Sequence, residues 1–449
     1  MMLHIFFTFL FLALASNLYG QELRPSFVSV PFEVPTKEIE SKLNQSFKGL
    51  IFQDTSFEDN ELDLLKMKVW KKSDIKLTTK NDTLLFKVPL KIWINKAYEM
   101  MYLRSHHQSD FELMFYIGTK IQLNANYTIS TKSFVTHYEW LKEPTLKVAG
   151  VDWNITKWVK SALDKQLTTI STIIDQQAKE QLNFKPMATD LWNEYSKPSL
   201  ISEEYKAWMI TAPQKIYATP LTIQNNKIIG KIGFDLLNQV YIADSMLPAK
   251  PIAQVPNLTL LSQIKDTFSI RTHTYIPYQQ ATDIARKRFI DSTYSFQEGK
   301  YQVVVKDIEM YYEDNKMVFK NTLSGSYNGI VYIQGNPYYD SISQKIKLQN
   351  TEFQLKTKNI LHKTVAWLFE GKLERNIESN FEMEMTPYIE KSKQETLIAL
   401  NREYRKGFFV KGDVLDMKMT YFEAKPNYME TAIDTKATIK AIIDGMYSR

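Results

Sequence analysis

The chain contains no cysteine. Disulfides, a thiolate nucleophile, cysteine-ligated zinc, iron–sulfur clusters and thioether-linked haem all need that sulfur, so each is excluded. Anchoring through a lipid-modified cysteine is excluded with them. Glycine is scarce, with 14 in 449 residues. None of the glycine-rich phosphate cradles is present, and neither G-x-S-x-G nor H-E-x-x-H occurs. The net charge is only +6 against 56 basic and 50 acidic residues, too weak a field to imply a nucleic-acid partner. No apolar run has the length of a membrane-spanning helix.

The remaining candidates for chemistry are weak as sequence signals. Of six histidines, His4 lies in the N-terminal leader, and His106 and His107 are neighbours in a polar stretch that reads as a surface loop. His137, His273 and His362 stand alone, and a hydrolase would need one of them brought to a carboxylate by the fold. Glu58, Asp59, Asn60, Glu61 and Asp63 lack the glycine and spacing of a calcium loop and read as a solvated turn. Ser73 and Lys76 form an S-x-x-K without its companion motifs. Glu203 and Glu204 are adjacent, so their carboxylates face different ways. No catalytic residue, metal site or cofactor is assigned.

What the chain does have is an internal repeat. Val28, Val30, Phe32, Val34, Pro35, Leu43 and Phe47 recur 242 residues later as Ile270, Thr272, Thr274, Ile276, Pro277, Ala285 and Phe289. A second match, Leu146, Val148, Asp152, Trp153 and Ile155 against Ile346, Leu348, Glu352, Phe353 and Leu355, has an offset of 200. Before the repeat, residues 1–20 read as a secretory signal with an apolar run from Ile5 to Ala15. The expected organisation is a first module over 21–186, a junction with central strands over 187–262 that holds six of the 16 prolines, and a second module over 263–449.

Period-two alternation dominates and predicts antiparallel sheets with one apolar face. It runs through Leu84 to Ile94, through Phe111 to Ile129 as either one long coiled strand or two strands bent at Gly118, and through Ile228 to Ile242. Leu415 to Tyr421 and Ile433 to Ala441 read as a hairpin turning at Pro426 and Asn427. Two stretches instead carry helical period. The first, Ile155, Trp158, Val159, Leu163, Leu167, Ile170 and Ile174 onward, is expected to end at Pro186. The second runs from Leu361 through Phe369, Leu373, Phe381, Met385 and Ile389 to Leu400, kinked or split at Pro387. The fold class expected is α+β, with two homologous modules, each a curved sheet wrapped around a long amphipathic helix.

The segments S-F-V-S-V-P-F-E-V-P (26–35), E-I-E-S-K-L-N (38–44), K-V-W-K (68–71) and V-P-L-K-I-W (88–93) resemble an uncharacterised family of exported bacterial proteins of about this length. That resemblance implies no catalytic residues. The duplicated order of strands and helix is also similar to tubular lipid-binding proteins of the bactericidal/permeability-increasing type. It implies an apolar ligand held in a groove between helix and sheet. Burial of a CH₂ contributes about 0.8 kcal/mol, so roughly twelve kcal/mol from a sixteen-carbon chain offsets an association cost of about 4 to 15 kcal/mol.

The expected function is therefore a non-enzymatic, exported carrier or sensor of lipid or another apolar molecule. Its expected groove residues are Trp158, Leu163, Leu167, Ile170 and Ile174 in the first half, and Trp367, Phe369, Leu373, Phe381 and Met385 in the second. The alternatives are an envelope scaffold that binds proteins through exposed edges or aromatic patches, and a hydrolase with a site assembled from distant residues.

Overall fold

The computed structural model describes residues 25–58, 64–100, 103–148, 151–246, 254–296, 298–356 and 382–445. The chain opens with β1 (Ser26–Pro35) and α1 (Thr36–Ser46), followed by β2 (Leu50–Asp54), β3 (Leu65–Lys71), β4 (Lys76–Lys80), β5 (Thr83–Met100), β6 (Leu103–Leu123) and β7 (Ile129–Lys142). A ribbon of β8 (Thr145–Val148) and β9 (Val151–Asn154) leads into α2 (Thr156–Gln181) and α3 (Lys185–Tyr195). Next come β10 (Ser199–Ser202), β11 (Ala207–Ala218), β12 (Thr222–Gln224), β13 (Lys227–Ile242) and β14 (Thr259–Leu260). The second half repeats the opening with β15 (Thr267–Pro277) and α4 (Tyr278–Phe289). It continues through β16 (Thr293–Phe296), β17 (Tyr301–Glu313), β18 (Lys316–Gly325), β19 (Gly329–Asp340), β20 (Lys345–Lys356) and β21 (Glu382–Glu384). It closes with α5 (Thr386–Leu400), β22 (Arg402–Arg405), β23 (Phe408–Ala424) and β24 (Tyr428–Ile443). The architecture is mostly antiparallel sheet, in several sheets, with few helices.

The sequence repeat has a local structural counterpart. Pro35 and Pro277 each end a strand and cap a helix with nearly the same backbone, φ −61 and ψ 139 against φ −60 and ψ 146. Proline fixes φ and lacks the N–H that a first-turn position leaves unpaired, so it turns a strand into a helix at small cost.

The same duplication organises the central sheet, whose strand order is β10-β11-β13-β1-β15-β24-β23-β22. The order reads the same from either end once each strand is exchanged for its repeat. β13 and β24 are 201 residues apart at both ends, Lys227 against Tyr428 and Ile242 against Ile443. Their hairpin partners keep the register, since Ala207 faces Ile242 and Phe408 faces Ile443. Even the β-bulge recurs, between Pro213 and Lys215 in one hairpin and between Val414 and Asp416 in the other. Residues 187–262, expected as a junction, thus supply five strands, β10 to β14, to the same sheet as β1 and β15.

Two further sheets flank this one. One has the order β2-β3-β5-β6-β7 with β4 on β5, and the other runs β16-β17-β18-β19-β20-β21. Met317, Phe319 and Leu348 of the latter pack with Tyr278 and Ala281 of α4 and Met429 of β24, which joins it to the central sheet. Asp82 accepts the Ile223 N–H at 2.8 Å and Asn226 accepts the Thr79 N–H at 3.1 Å, tying the first flanking sheet to the centre.

Several expectations need correction. Of the two readings of the Phe111 run, the unbroken strand holds at Gly118: β6 passes through it, and the Phe134 ring fills the space of a side chain, with a Cβ there 2.5 Å from Phe134 Cζ. That strand stops at Leu123, and a turn with Tyr127 at φ +67 separates it from Ile129. The second repeat match does not hold in three dimensions. Leu146 to Trp153 form a hairpin, whereas Ile346 to Leu355 lie on the single strand β20. Pro186 does not end α2, which stops at Gln181; it sits in the first turn of α3. Pro387 likewise starts α5 and does not kink a longer helix, because Glu382–Glu384 just before it pair with β20. The rest of the expected second long helix, from Leu361 to Phe381, lies outside the described residues. The described residues are mostly antiparallel sheet, and α2, at 26 residues, is the longest helix among them. In the first half α2 lies along the edge strand β7.

Candidate functional site

The most extensive apolar surface among the described residues lies between α2 and the first flanking sheet. Register places Val69, Ile92 and Phe111 side by side, then Leu90, Leu113 and Trp140, then Val88, Phe115 and Tyr138. Alternation puts all of these on one face, while Lys68, Lys91 and Glu112 point the other way. α2 runs along β7 and is held by polar contacts at two points. Tyr138 donates to Asp164 at 2.7 Å, and Asp175 accepts from the Thr131 hydroxyl at 2.7 Å and the Ser133 N–H at 3.0 Å. The Tyr138 contact holds the Asp164 carboxyl below the usual carboxylate range.

The helix covers this face incompletely. Under it Leu113 is 0% exposed and Phe111 and Phe115 are 3% exposed. Leu65, Met67, Phe86, Val88 and Leu90, on strands farther from β7, are only half-buried although they belong to the same apolar cluster. The helix side matches: Val159 is buried, while Ile155, Leu163, Leu167, Ile170 and Ile174 pack against the cluster and stay half-buried. Half-buried apolar side chains thus line both sides of the seam between α2 and the sheet.

Of the expected groove residues, Leu163, Leu167, Ile170 and Ile174 are on the sheet-facing side of α2. Trp158 is not among them; it is 44% exposed, one residue out of phase with the inward Val159. Met385 caps α5 and packs with Ile346, Ile389 and Met419, a small core between α5, β20 and β23. Trp367, Phe369, Leu373 and Phe381 fall outside the described residues. A shallow depression of about 480 Å³ lies on the outward face of α2, lined by Lys157, Lys160, Ser161, Asp164 and Lys165.

A second site, missed at the level of sequence, is polar. His273 of β15 lies beside Ala432 of β24, and Ala432 faces Tyr421 of β23. His273 Nδ1 is 3.1 Å from the Tyr421 hydroxyl and 3.4 Å from Glu430 Oε1, and Tyr421 donates to that oxygen at 2.6 Å. His273 and Glu430 are buried, and His273 Nε2 has no partner. The hydrogen bond with His273 lowers the Glu430 pKa despite burial, whereas burial and the Glu430 carboxylate push the Tyr421 hydroxyl well up. A lone histidine brought to a carboxylate is what the hydrolase reading requires, and His273 with Glu430 supplies that pair, with both side chains buried. Only the separation of 157 residues between His273 and Glu430 hid it.

The other histidines remain apart. His106 and His107 are in β6 and not in a loop, with rings against Phe57 and Tyr98. His137 is exposed and stacked on Tyr116 at 4.0 Å. His362 and most of the acidic stretch 58–63 lie outside the described residues. Among the described residues no group of three His, Asp or Glu side chains could hold a metal ion, and no helix is long and apolar enough to cross a membrane.

A search of curated proteins finds no match. Among solved structures, one titled "Crystal structure of lipopolysaccharide binding protein" is similar over 94% of this chain and 99% of that one, at 8% identity and a TM-score of 0.29. A likeness that weak carries no inference about ligand. The family model described as "Domain of unknown function (DUF4403)" matches residues 24–443, nearly the whole chain, and the protein belongs to that family.

Proposed function

We propose that this protein binds lipid or another apolar molecule without chemical turnover, in the seam between α2 and the β2–β7 sheet. One observation carries the reading: half-buried apolar side chains line both sides of the seam, Met67, Val88 and Leu90 on the sheet and Leu163, Leu167 and Ile170 on α2. Half-buried apolar side chains gain further stabilisation from an apolar molecule that takes the place of water over them. An acyl chain gains about 0.8 kcal/mol per CH₂ buried and needs no polar motif. Export to the cell envelope is part of the proposal and rests on the apolar run Ile5 to Ala15 at the N-terminus. The test is mass spectrometry of organic extracts from natively purified protein. A stoichiometric apolar ligand is expected, and its absence sinks the proposal.

A scaffold role has its own observation. Met187, Leu191 and Tyr195 on α3 and Leu200 and Ile201 on β10 are all more than 40% exposed. They fit a protein partner, and an unloaded but partner-bound protein would favour that reading.

A further inference from the structure

The β8–β9 ribbon is unlike the other strands. It forms a sheet of its own, and all four residues of β9 are exposed. Register pairs Leu146 with Trp153 and Val148 with Val151, and it pairs Thr145 with Asn154 and Lys147 with Asp152. Alternation therefore places Leu146, Val151 and Trp153 on one face and Thr145, Lys147, Asp152 and Asn154 on the other. Val151 is 59% and Trp153 61% exposed. A lone two-stranded ribbon is marginal in water, and this one turns its apolar face outward.

Its base is firmly tied. Ser109 donates its hydroxyl to the Thr145 carbonyl at 2.7 Å, and the Ile155 N–H donates to the Pro144 carbonyl at 3.1 Å. The second contact fixes the ribbon against the first turn of α2. There the outward depression holds Lys157, Lys160 and Lys165 with one carboxylate, Asp164, which pairs with Lys160 at 3.2 Å, and Trp158 of the same helix turn is exposed. Two exposed tryptophans, Trp153 and Trp158, and these lysines thus lie in the ribbon and the N-terminal half of α2.

We infer that the β8–β9 ribbon and the N-terminal half of α2 form a docking surface for an anionic lipid bilayer. Trp153 and Val151 would enter the headgroup boundary and the α2 lysines would meet phosphates. The charge pattern selects this partner. Lysine is depleted from the cores of protein interfaces, whereas tryptophan with flanking lysine is what membrane surfaces attract. On α2 Val159 and Leu163 pack toward the sheet, whereas Lys157 and Lys165 are exposed. Docking would place the seam's protein beside the phase from which an apolar ligand is drawn.

The test is flotation of the full chain with vesicles of phosphatidylcholine alone and of equal parts phosphatidylcholine and phosphatidylglycerol. Wild type should float with the anionic vesicles and lose binding as salt rises. Val151→Asp and Trp153→Ala should each weaken binding by about tenfold. Lys157→Glu with Lys165→Glu should weaken it by more than about tenfold on anionic vesicles, at about fivefold for each positive charge lost. All four positions are exposed, and unchanged circular dichroism and melting confirm that the variants fold. No flotation by wild type, or equal flotation by all variants, overturns the inference. So does a wild-type dimer in solution that Trp153→Ala dissolves, since the ribbon would then cover a second copy. Flotation with an empty organic extract leaves the docking surface standing and removes only the carrier reading.

Discussion

Phe27 faces Ser269 across the middle of the central sheet, and the two are 242 residues apart, the offset of the sequence repeat. Each occupies the same place in its copy of the strand that precedes a proline-capped helix. Antiparallel pairing of a residue with its own repeat can occur only where a local twofold axis passes. β1 and β15 therefore meet at that axis, and the parallel contacts on either side agree with it. Asn238 lies against Thr272 and Phe32 against Ala441, which the offsets of 242 and 201 bring to the same register.

Truncation should separate the core of the first half from its seam. Leu113→Ala removes a side chain with no exposure and should destabilise by about 2 to 5 kcal/mol in urea unfolding. Leu167→Ala, half-buried on α2, should cost less than about 2 kcal/mol while lowering the amount of apolar ligand recovered. If the second variant is as destabilising as the first, the seam is closed and the carrier reading is wrong.

Glu430 gives an acid-side prediction. Its pKa in the folded protein is depressed, chiefly by the hydrogen bond with His273. A depressed carboxyl contributes stability above its unfolded pKa, near the ordinary value of 4.5, and loses it as pH falls through the folded value. Melting temperature should drop below about pH 4.5 in wild type, and Glu430→Gln should flatten that segment of the profile. At pH 7 the same substitution should cost about 1 to 3 kcal/mol, the range for a hydrogen bond to a charged group.

Tyr127 works in the opposite direction. Its hydroxyl donates to the Pro256 carbonyl at 2.5 Å, and burial pushes its pKa from 10.0 up to about 12. A raised acid pKa contributes stability that is full below pH 10 and is lost as pH climbs towards 12. Tyr127→Phe should lower stability by about 0.5 to 1.5 kcal/mol at neutral pH and make unfolding less sensitive to alkali. An unaltered alkaline profile would show that Tyr127 is not the group responsible.

Two glycines should respond differently to the same methyl. At Gly412 a Cβ would stand 2.3 Å from the Thr438 carbonyl oxygen, a backbone atom in the partner strand β24. At Gly118 it would meet only the Phe134 ring, which is 42% exposed and free to swing aside. Gly412→Ala should cost about 1 to 3 kcal/mol, and Gly118→Ala less than about 1 kcal/mol, read as shifts in thermal unfolding.

Much of the sheet was legible because period two is local. The hairpin of β23 and β24, the long strands β5 and β13, and the strand-to-helix turns at Pro35 and Pro277 follow from alternation and proline alone. The helix ends were misread where a proline has two meanings. Pro186 and Pro387 cannot continue a helix, but both are well placed to begin one, and neighbouring chain decides between these uses. Trp158 was misassigned because hydrophobicity marks the stripe only to within one residue, whereas the facing strand fixes which side of α2 is inward.

By itself the sequence determined the repeat, the one-sided strands, the amphipathic α2 and the absence of thiol chemistry, since each is written in residue types and short spacings. Only the tertiary structure decided that the two halves share one sheet about an axis between Phe27 and Ser269. It also brought His273 to Glu430 across 157 residues and packed α2 on the apolar face of the β2–β7 sheet with side chains of both half-buried. Those outcomes depend on register between distant strands, and register is set by the summed packing of whole faces, which no local window of residues contains.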